Sequence, residues 1–260
     1  MGITFSGYSQ ATLGAREISL GQATSALPNS TWAVFANPAM SSEDRKSVSF
    51  FGIRYYGFSE LTDMAVAATY PTEFGVIGAG VYRYGDDLFN ENQLRVSYKN
   101  SFQGFHYGAA LNYNHVVQGD GHGSFGALGI NVGLAAQIID NLWIGAKATN
   151  INQPKYGEFN NIAEEPVRDL SIGFAYQVSD LFLFTSDVYK DVRFPVSYRG
   201  GAEIKIIENL RGRAGVTTEP LTFSAGFGYN TDLWGINIVA QQHENPVLGI
   251  SPGLDLNITW

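Results

Sequence analysis

Apolar and polar side chains alternate along most of this chain, from about residue 46 to its end. In the closing stretch LDLNITW (254–260), leucines, isoleucine and tryptophan occupy one side of an extended strand, and polar residues occupy the other. A period of two is that of a β-strand, whose successive side chains point to opposite faces. About fourteen such segments recur, each near the length that a tilted strand needs to cross a bilayer. Their approximate spans are 46–56, 62–70, 74–84, 92–100, 104–115, 124–137, 141–150, 167–177, 180–189, 196–206, 209–217, 221–229, 233–242 and 249–260.

Alternation alone fits either a membrane barrel or a soluble β-sandwich, whose apolar faces point inward. Three features favour the barrel. The apolar face carries almost no charge, as expected where Lys or Arg at mid-bilayer costs roughly 2–4 kcal/mol. The other face is rich in Gly, Ser, Asn and isolated charges, and Tyr and Trp gather near strand ends as in interfacial girdles. Because backbone groups in lipid must be paired, the sheet has to close. The sequence predicts an all-β, transmembrane antiparallel barrel of about 14 strands.

The connections between these segments alternate between very short and mostly longer, as in barrels with short periplasmic turns and longer external loops. PTE (71–73) and NTD (230–232) are short, whereas 151–166 is long. The terminal Trp260 resembles the signal that the outer-membrane barrel insertion machinery reads. We therefore expect a bacterial outer-membrane location, with a signal peptide already removed from this chain and outer-membrane lipid around the barrel.

Composition excludes several classes of function. The formal net charge of -8 argues against a nucleic-acid partner, and the absence of Cys excludes disulfides and thiolate metal sites. The four His residues are not spaced for zinc, and there is no G-x-S-x-G or P-loop motif. Two acidic loops, QGDGHG (118–123) and NNIAEEPVRD (160–169), lack the spacing of an EF-hand. We expect no enzyme activity, no metal and no cofactor.

The first 45 residues do not alternate and consist mainly of small residues. A short helix is predicted near Ser30–Phe35, capped by Ser30 and ended before Pro38. A segment of this length has no core of its own, and a barrel of about fourteen strands is too wide for its own side chains to fill. We therefore predict a plug at 1–45 inside the lumen of a barrel at 46–260.

The N-terminal region carries a family resemblance. LGAREISLGQATSAL (13–27), followed by WAVFANPAM (32–40), resembles the N-terminal region of the FadL-like outer-membrane barrels, especially their PorV/PorQ branch. In that family, a small-residue segment leads to an Asn-Pro-Ala motif at the plug, here Asn37, Pro38 and Ala39. The resemblance implies a plugged outer-membrane barrel and two open functions. One is an accessory or binding barrel linked to type IX secretion, with secretion-system proteins as partners. The alternative is an uptake channel for a small hydrophobic solute such as a fatty acid. The short loops favour the first.

Charged residues on the predicted lumen face offer one candidate site. This face is expected to carry Arg54, Arg83, Arg95, Lys99, Lys147, Asp187, Arg199, Glu203, Lys205, Arg211, Arg213 and Asp255. Arg199, Arg211 and Arg213 lie on neighbouring strands and suit a carboxylate or another anion. The same residues also suit structural pairing with Glu203, Asp187, Asp255 or plug carbonyls, and we favour this interpretation.

Glycines in the predicted third strand offer a second candidate site. Gly75, Gly78 and Gly80 mark either a bend in the barrel wall or a close contact with the plug, since glycine in a strand often has one of these roles. In fatty-acid transporters of the FadL type, a kink in this strand opens the wall sideways, so a lateral opening is one hypothesis. The register of the first three strands stays open, because FFGIRYYG (50–57) and FGVIGAGVYRYG (74–85) fit either face.

Overall fold

Strands dominate the computed structural model, which describes residues 12–119, 123–159 and 162–260. Across these residues, fourteen strands form a closed barrel, and two short strands, β8 and β9, pair separately. The strands are β1 (Ser47–Arg54), β2 (Thr62–Thr72), β3 (Gly75–Gly85), β4 (Phe89–Phe102), β5 (Phe105–Gln118), β6 (Gly123–Ile139), β7 (Leu142–Ala148), β8 (Gly157–Phe159), β9 (Ile162–Glu164), β10 (Asp169–Ser179), β11 (Phe182–Asp191), β12 (Ser197–Ile207), β13 (Leu210–Thr217), β14 (Thr222–Asn230), β15 (Trp234–His243) and β16 (Ile250–Thr259).

The barrel closes between its first and last strands. Each barrel strand pairs antiparallel with its neighbour in sequence order, and β1 also pairs with β16 from Ser47 opposite Thr259 onward. Beyond this ladder, the backbone N–H groups of Lys46 and Trp260 donate to each other's carbonyls, at 3.3 and 3.1 Å. The predicted closed barrel of about fourteen strands is confirmed, and the sandwich alternative is excluded because no barrel strand is left with an open edge in the described ring.

Short turns and longer loops lie at opposite ends of the barrel. The end where Ser47 and Trp260 meet also holds the short turns, such as the one between Thr72 and Gly75, and we call it the turn end. The other end, here the loop end, holds the longer connections, including 149–168 with the β8–β9 hairpin. The alternation of short and long connections is therefore as predicted. Within the described ranges, no helix is long and apolar enough to span a bilayer.

The outer face of the barrel is apolar and the inner face is mostly polar. On β14, Phe223 and Phe227 are exposed on the outside, while Ser224 between them is buried inside. The structure also settles the register of β1: Phe50 faces outward and is 44% exposed, whereas Phe51 faces inward and is 5% exposed. On the inside, Phe51 packs against other apolar side chains, and this hydrophobic burial fixes the register of β1.

Two arginines that we expected in the lumen face outward instead. Arg54 and Arg83 share the exposed face of β1 and β3, so this part of the prediction is wrong. Both lie at the loop end of their strands, where a long side chain reaches water. Arg83 lies 3.8 Å from the carboxylate of Asp87 in the adjoining loop.

Residues 12–46, which we call the N-terminal segment, lie against the inward face of the strands. They form a short helix, α1 (Ala15–Ser19), and two 3-10 helices at Thr31–Val34 and Pro38–Met40. The helix predicted near Ser30–Phe35 is therefore present as a 3-10 helix, and the Ser30 hydroxyl accepts from the backbone N–H of Trp32 at 3.0 Å, as predicted for a cap. Most residues from 13 to 41 are buried, although such short helices cannot bury themselves. Their burial comes from strands around the ring.

Candidate functional site

A buried carboxylate joins the N-terminal segment to the barrel wall near the turn end. The Glu203 cluster consists of Glu203 on β12, Arg213 and Arg211 on β13, and Arg16 on α1. Arg213 Nε donates to Glu203 Oε2 at 2.6 Å, and Arg16 Nε donates to the same oxygen at 3.2 Å. Arg211 Nη1 lies 3.8 Å from the other carboxylate oxygen. One carboxylate thus faces three guanidinium groups. In a buried ion-pair cluster of this kind, removing one charged partner leaves a buried charge uncompensated.

The Glu203 cluster continues into a chain of polar contacts across β15 and β16. Arg213 Nη1 donates to Asn237 Oδ1 at 2.9 Å, and Asn237 Nδ2 donates to Asp255 Oδ1 at 3.2 Å. The other oxygen of Asp255 accepts from the indole N–H of Trp32 in the N-terminal segment. The segment is therefore attached to this half of the wall at both Arg16 and Trp32.

The arginines that we predicted as one anion site do not come together. Arg211 and Arg213 meet at Glu203, which is the structural pairing that we favoured for them. Arg199 lies elsewhere, with its guanidinium carbon 3.6 Å from the ring centroid of Tyr189. Binding of an anion by any of the three stays a prediction.

A polar cavity of about 470 Å³ opens beside the Glu203 cluster toward the turn end. Its walls come from the N-terminal segment and from the strands on either side of the barrel closure, and they carry both signs of charge. Glu17, Asp44, Arg45 and Asn257 are among the side chains that line it. Such a surface is suited to water and polar solutes and disfavours a purely apolar one.

A second carboxylate, on β11 next to the strand of Glu203, attaches another part of the N-terminal segment. Asp187 Oδ2 on β11 accepts from the backbone N–H groups of Thr24 and Ser25, each at 2.9 Å, and from the Ser25 hydroxyl at 2.8 Å. The Ser25 hydroxyl also lies 2.6 Å from that of Ser171 on β10. Burial removes water from these two backbone N–H groups, and the Asp187 carboxylate replaces it as their hydrogen-bond acceptor.

The Asn-Pro-Ala motif forms a third attachment. The Asn37 amide nitrogen donates to the carbonyls of Ser25, Leu134 and Ala146, at 2.6, 3.2 and 3.3 Å. Its oxygen accepts from the backbone N–H of Ala39 at 3.1 Å and so caps the 3-10 helix that Pro38 begins. The motif therefore holds the N-terminal segment to β6 and β7. Its role as a plug stays a prediction, as does the division at residue 45, and residues 1–11 lie outside the described residues.

Two cationic side chains on β4 bond to backbone carbonyls at the ends of the two 3-10 helices. We did not single them out as site residues. Arg95 Nη1 donates to the carbonyl of Phe35 at 2.7 Å, and Lys99 Nζ donates to that of Ser41 at 2.6 Å. The sequence signals only that both residues face the lumen. Their acceptors are backbone carbonyls more than fifty residues away, which no local pattern reveals.

Glu43 links the end of the N-terminal segment to the turn end of the wall. Its Oε1 lies 3.0 Å from Lys99 Nζ and 3.1 Å from His106 Nδ1. Partial burial by itself raises the pKa of Glu43, but Lys99 and His106 outweigh this effect and hold the pKa below its ordinary value. Because the folded-state pKa is lowered, the stabilisation is present above the unfolded pKa and is lost as pH falls through the folded one.

We expect this loss to appear in the melting temperature of the barrel. Above pH of about 4.3, the unfolded pKa of Glu, wild type should melt at a higher temperature than Glu43→Gln. The difference should shrink to nothing once the pH lies below the folded-state pKa of Glu43. Melting curves of both proteins in the same detergent across acidic pH give the comparison. A gap between them that persists at the lowest pH would contradict this assignment.

The glycines of β3 accommodate the N-terminal segment. A Cβ atom at Gly78 would lie 2.6 Å from Cγ2 of Val34, and one at Gly80 would lie 2.3 Å from Cε2 of Phe35. Gly75, with a φ of 135°, follows the short turn before β3. The ladders of β3 with β2 and β4 run through these residues without a register shift. No bulge therefore interrupts these ladders, and the contacts of Gly78 and Gly80 fit the close packing that the sequence left open as the alternative. A wall kink at this strand stays a prediction.

An apolar cluster lies inside the barrel toward the loop end. It joins the N-terminal segment to β1, β2, β3 and β15, and a sequence with two possible registers could not place it. Trp32 and Phe51 meet edge to face at 5.8 Å between ring centroids. Its members are Leu13, Ala15, Ile18, Trp32, Phe51, Ile53, Ala65, Ala67 and Val239, with Phe35, Tyr55 and Tyr82 packed against them.

The structure gives the positions of some further predicted features but does not test their roles. Trp260 ends the chain at the barrel closure, and its role as an insertion signal stays a prediction. Within the part of the chain that the structure describes, no three His, Asp or Glu side chains are grouped to hold a metal ion. His122 and residues 120–122 and 160–161 of the two acidic loops lie outside the described residues.

A closed, antiparallel barrel with an apolar exterior and a polar interior defines the class of outer-membrane barrel proteins. No protein-family profile matches this sequence, and no curated protein sequence is significantly similar to it. Solved structures do match. The toluene transporter TodX of Pseudomonas putida superposes with a TM-score of 0.66 at 13% identity, over 95% of this chain and 97% of that one.

Two further structures extend this comparison. The toluene transporter TbuX of Ralstonia pickettii gives a TM-score of 0.66 at 13% identity, over 95% of this chain and 97% of that chain. A FadL homologue of Pseudomonas aeruginosa gives a TM-score of 0.62 at 12% identity, over 96% of this chain and 98% of that chain. This chain has the FadL-like barrel fold, which points to the bacterial outer membrane. Two of these neighbours are described as toluene transporters and the third as a FadL homologue, so the PorV/PorQ branch stays a prediction.

Proposed function

We propose that this barrel lets a small hydrophobic solute cross the outer membrane, with the N-terminal segment as the plug that closes its lumen. The observation that carries the proposal is the apolar cluster inside the barrel near the loop end. The inner face of a water-filled porin is polar, so inward-facing Phe51 and Ile53 suit a different kind of solute. The fold likeness to proteins described as toluene transporters supports the same choice.

The chemistry of the apolar cluster suits an aromatic ligand. Trp32 and Phe51 already meet at a spacing typical of aromatic pairs, so a ring-shaped solute finds similar partners there. Removing apolar surface from water stabilises the bound solute by roughly 25 cal/mol per Å². A solute that enters from the loop end therefore reaches a favourable site before it meets the polar groups below.

Passage beyond this site requires the N-terminal segment to move. Below the apolar cluster, Trp32 is bound to Asp255, and Arg16 is bound to Glu203, so the segment and the wall are in direct contact. The ladders around β3 are unbroken, which supports passage along the lumen over passage through the wall at that strand. Several of the contacts that hold the segment are hydrogen bonds and ion pairs, which can exchange for bonds to water. This supports a plug that is displaced during transport.

The two adjacent phenylalanines of β1 provide a matched test. We expect Phe51→Ser to lower the uptake of labelled toluene by about tenfold, equivalent to about 1.4 kcal/mol of lost apolar contact. Phe50→Ser, on the lipid-facing side of the same strand, should leave uptake near that of wild type. Uptake is measured in cells with a lipopolysaccharide outer leaflet, since this leaflet is the barrier to toluene. Wild-type cells that take up toluene no faster than cells without the barrel would refute the proposal.

The N-terminal motif led us to expect an accessory role linked to type IX secretion, but no contact among the described residues favours that role. The Asn-Pro-Ala motif attaches the N-terminal segment to the wall, a role that either function requires. Uptake of a hydrophobic solute therefore takes precedence. Outer-membrane lipid around the barrel and the insertion machinery at its last strand remain the proposed partners.

A further inference from the structure

Several buried polar groups without partners lie on the strands from β5 to β12, and the middle of this stretch faces the apolar cluster across the lumen. β10 lies half-way around the ring from β1, and its neighbours carry several inward-facing polar side chains. Among the described residues, hydrogen-bond partners are lacking for Asn112 Oδ1, Asn131 Nδ2, both carboxylate oxygens of Asp169, Thr185 Oγ1 and Arg199 Nε. Neither the attachment of the N-terminal segment nor the apolar cluster uses these atoms.

Unpartnered atoms of this kind are unusual in a folded protein. A buried donor or acceptor without a partner keeps its full desolvation cost, and native structures contain few of them. Asp169 is 3% exposed and Asn112 is fully buried, so bulk solvent does not supply partners for their unpaired atoms. Several such atoms on adjacent strands indicate a wall whose partners come from outside the protein chain.

Charged residues run across this wall in one band near the loop end. Lys147 on β7 lies opposite Ser171 on β10, and Asp169 is two residues away on the same inward face. On the other side, Ser171 lies opposite Tyr189 of β11, and the Arg199 guanidinium stacks on the Tyr189 ring. Diagonal neighbours in a sheet lie roughly 7–8 Å apart. The Lys147–Arg199 band thus places a carboxylate between two cations.

The charges of the Lys147–Arg199 band are not neutralised by direct ion pairs. Within the described residues, neither Lys147 nor Arg199 has a carboxylate oxygen within 4.0 Å, unlike Arg213 of the Glu203 cluster. Apart from a weak contact with the Thr149 side chain, both oxygens of Asp169 also remain without a hydrogen-bond donor. Asp187 on β11 lies opposite Arg199 and is a second acid on the same inward face.

Amide side chains beside the band are fixed at one end and free at the other. Asn112 Nδ2 donates to Asn150 Oδ1 at 3.2 Å, which leaves Asn112 Oδ1 as an unused acceptor. Asn131 Oδ1 accepts from the backbone N–H of Asn150 at 2.8 Å, which leaves Asn131 Nδ2 as an unused donor. Because each amide is held by its bonded atom, its free atom is preorganised for a partner.

We infer that the Lys147–Arg199 band binds a small zwitterionic solute of the amino-acid class. The ligand carboxylate bonds to Lys147 and Arg199, and its ammonium group bonds to Asp169. An anion alone leaves Asp169 unpaired, and a cation alone leaves both basic groups unpaired, so the two charges are recognised together. This site lies across the lumen from the apolar cluster and does not depend on the proposed passage of a hydrophobic solute.

Binding of L-serine to the full chain in detergent micelles tests this inference by calorimetry. Lys147→Met and Asp169→Asn should each weaken serine binding at least tenfold. Matched controls are Lys205→Met, whose ammonium is paired with Glu208, and Asp232→Asn on the exposed turn end. Both controls should bind serine as wild type does. The heat-dependent shift of folded barrels on denaturing gels verifies the folding of each variant.

Half-ligands give a second measurement that needs no variant. Propionate carries only the anionic group and ethylamine only the cationic one, so each should compete with serine weakly, at concentrations at least tenfold higher. Three results would overturn the inference: no binding of serine to the wild-type barrel, propionate that binds as tightly as serine, or equal binding by wild type and Asp169→Asn. An experimental map with serine present that shows only ordered water at this wall would do so as well.

Discussion

Replacing Glu203 by glutamine is expected to destabilise the folded barrel by about 3–5 kcal/mol, the usual cost of breaking a buried ion pair from one side. Arg213 is the main reason, because its side chain is only 1% exposed and its Nε donates to Glu203 at 2.6 Å. Glutamine keeps the shape of the side chain but removes the negative charge. A buried guanidinium then remains without a counter-charge, and Arg16 loses its partner as well.

The free energy of unfolding, measured by denaturant titration of the barrel in lipid bilayers, gives this number. Glu208→Gln serves as the matched control, since Glu208 also pairs with a cation but its side chain is 86% exposed at the turn end. A surface pair of this kind contributes little, so the control should unfold like wild type. Equal stability of Glu203→Gln and Glu208→Gln would show that the Glu203 cluster does not hold the fold together.

A disulfide between positions 25 and 171 is expected to reduce toluene uptake to the level of cells without the barrel. The Ser25 and Ser171 hydroxyl oxygens are 2.6 Å apart, so two Cys side chains at these positions come within the short range that a disulfide requires. The natural chain contains no Cys, so no other thiol competes. The bond fixes the N-terminal segment to β10, and a plug that cannot move cannot open.

Reduction of this disulfide should restore uptake to the level of the wild type measured under the same reducing conditions. The control is Thr217→Cys with Thr222→Cys, a cross-strand pair within the wall on β13 and β14 whose hydroxyls are in contact. That disulfide leaves the N-terminal segment free and should not change uptake. Unchanged uptake with the oxidised Ser25→Cys, Ser171→Cys variant would show that the solute passes without displacing this part of the segment.

Strand positions followed from the sequence because the environment imposes a strict pattern on them. A face covered by lipid tolerates few charges, and a closed sheet in lipid needs strands of bilayer length, so β14 and β16 were recognisable from alternation alone. β1 and β3 were ambiguous because part of their inner face is apolar too. Phe51 and Gly80 face inward to contact the N-terminal segment, and no local pattern separates that contact from contact with lipid.

The candidate site was less predictable because its contacts join distant parts of the chain. Arg95 bonds to a backbone carbonyl sixty residues away, and α1 is too short to give a helical pattern. The Asn-Pro-Ala motif indicated the FadL-like fold correctly but did not separate its branches. Asn37 attaches the segment to β6 and β7, and every plugged barrel needs such an attachment whatever it transports.

The central claim is that lipid covers the exposed apolar face of the barrel. Spin labels on single Cys variants in lipid bilayers test it most directly, because oxygen collects in lipid and a nickel chelate stays in water. Labels at Phe223 and Phe227, each 54% exposed on the outer face, should be reached by oxygen and protected from the nickel chelate. A label at Ser224, which points into the lumen, should be shielded from the oxygen in the lipid. Equal accessibility at the three positions, or ready access of the nickel chelate to both phenylalanine positions, would contradict the account.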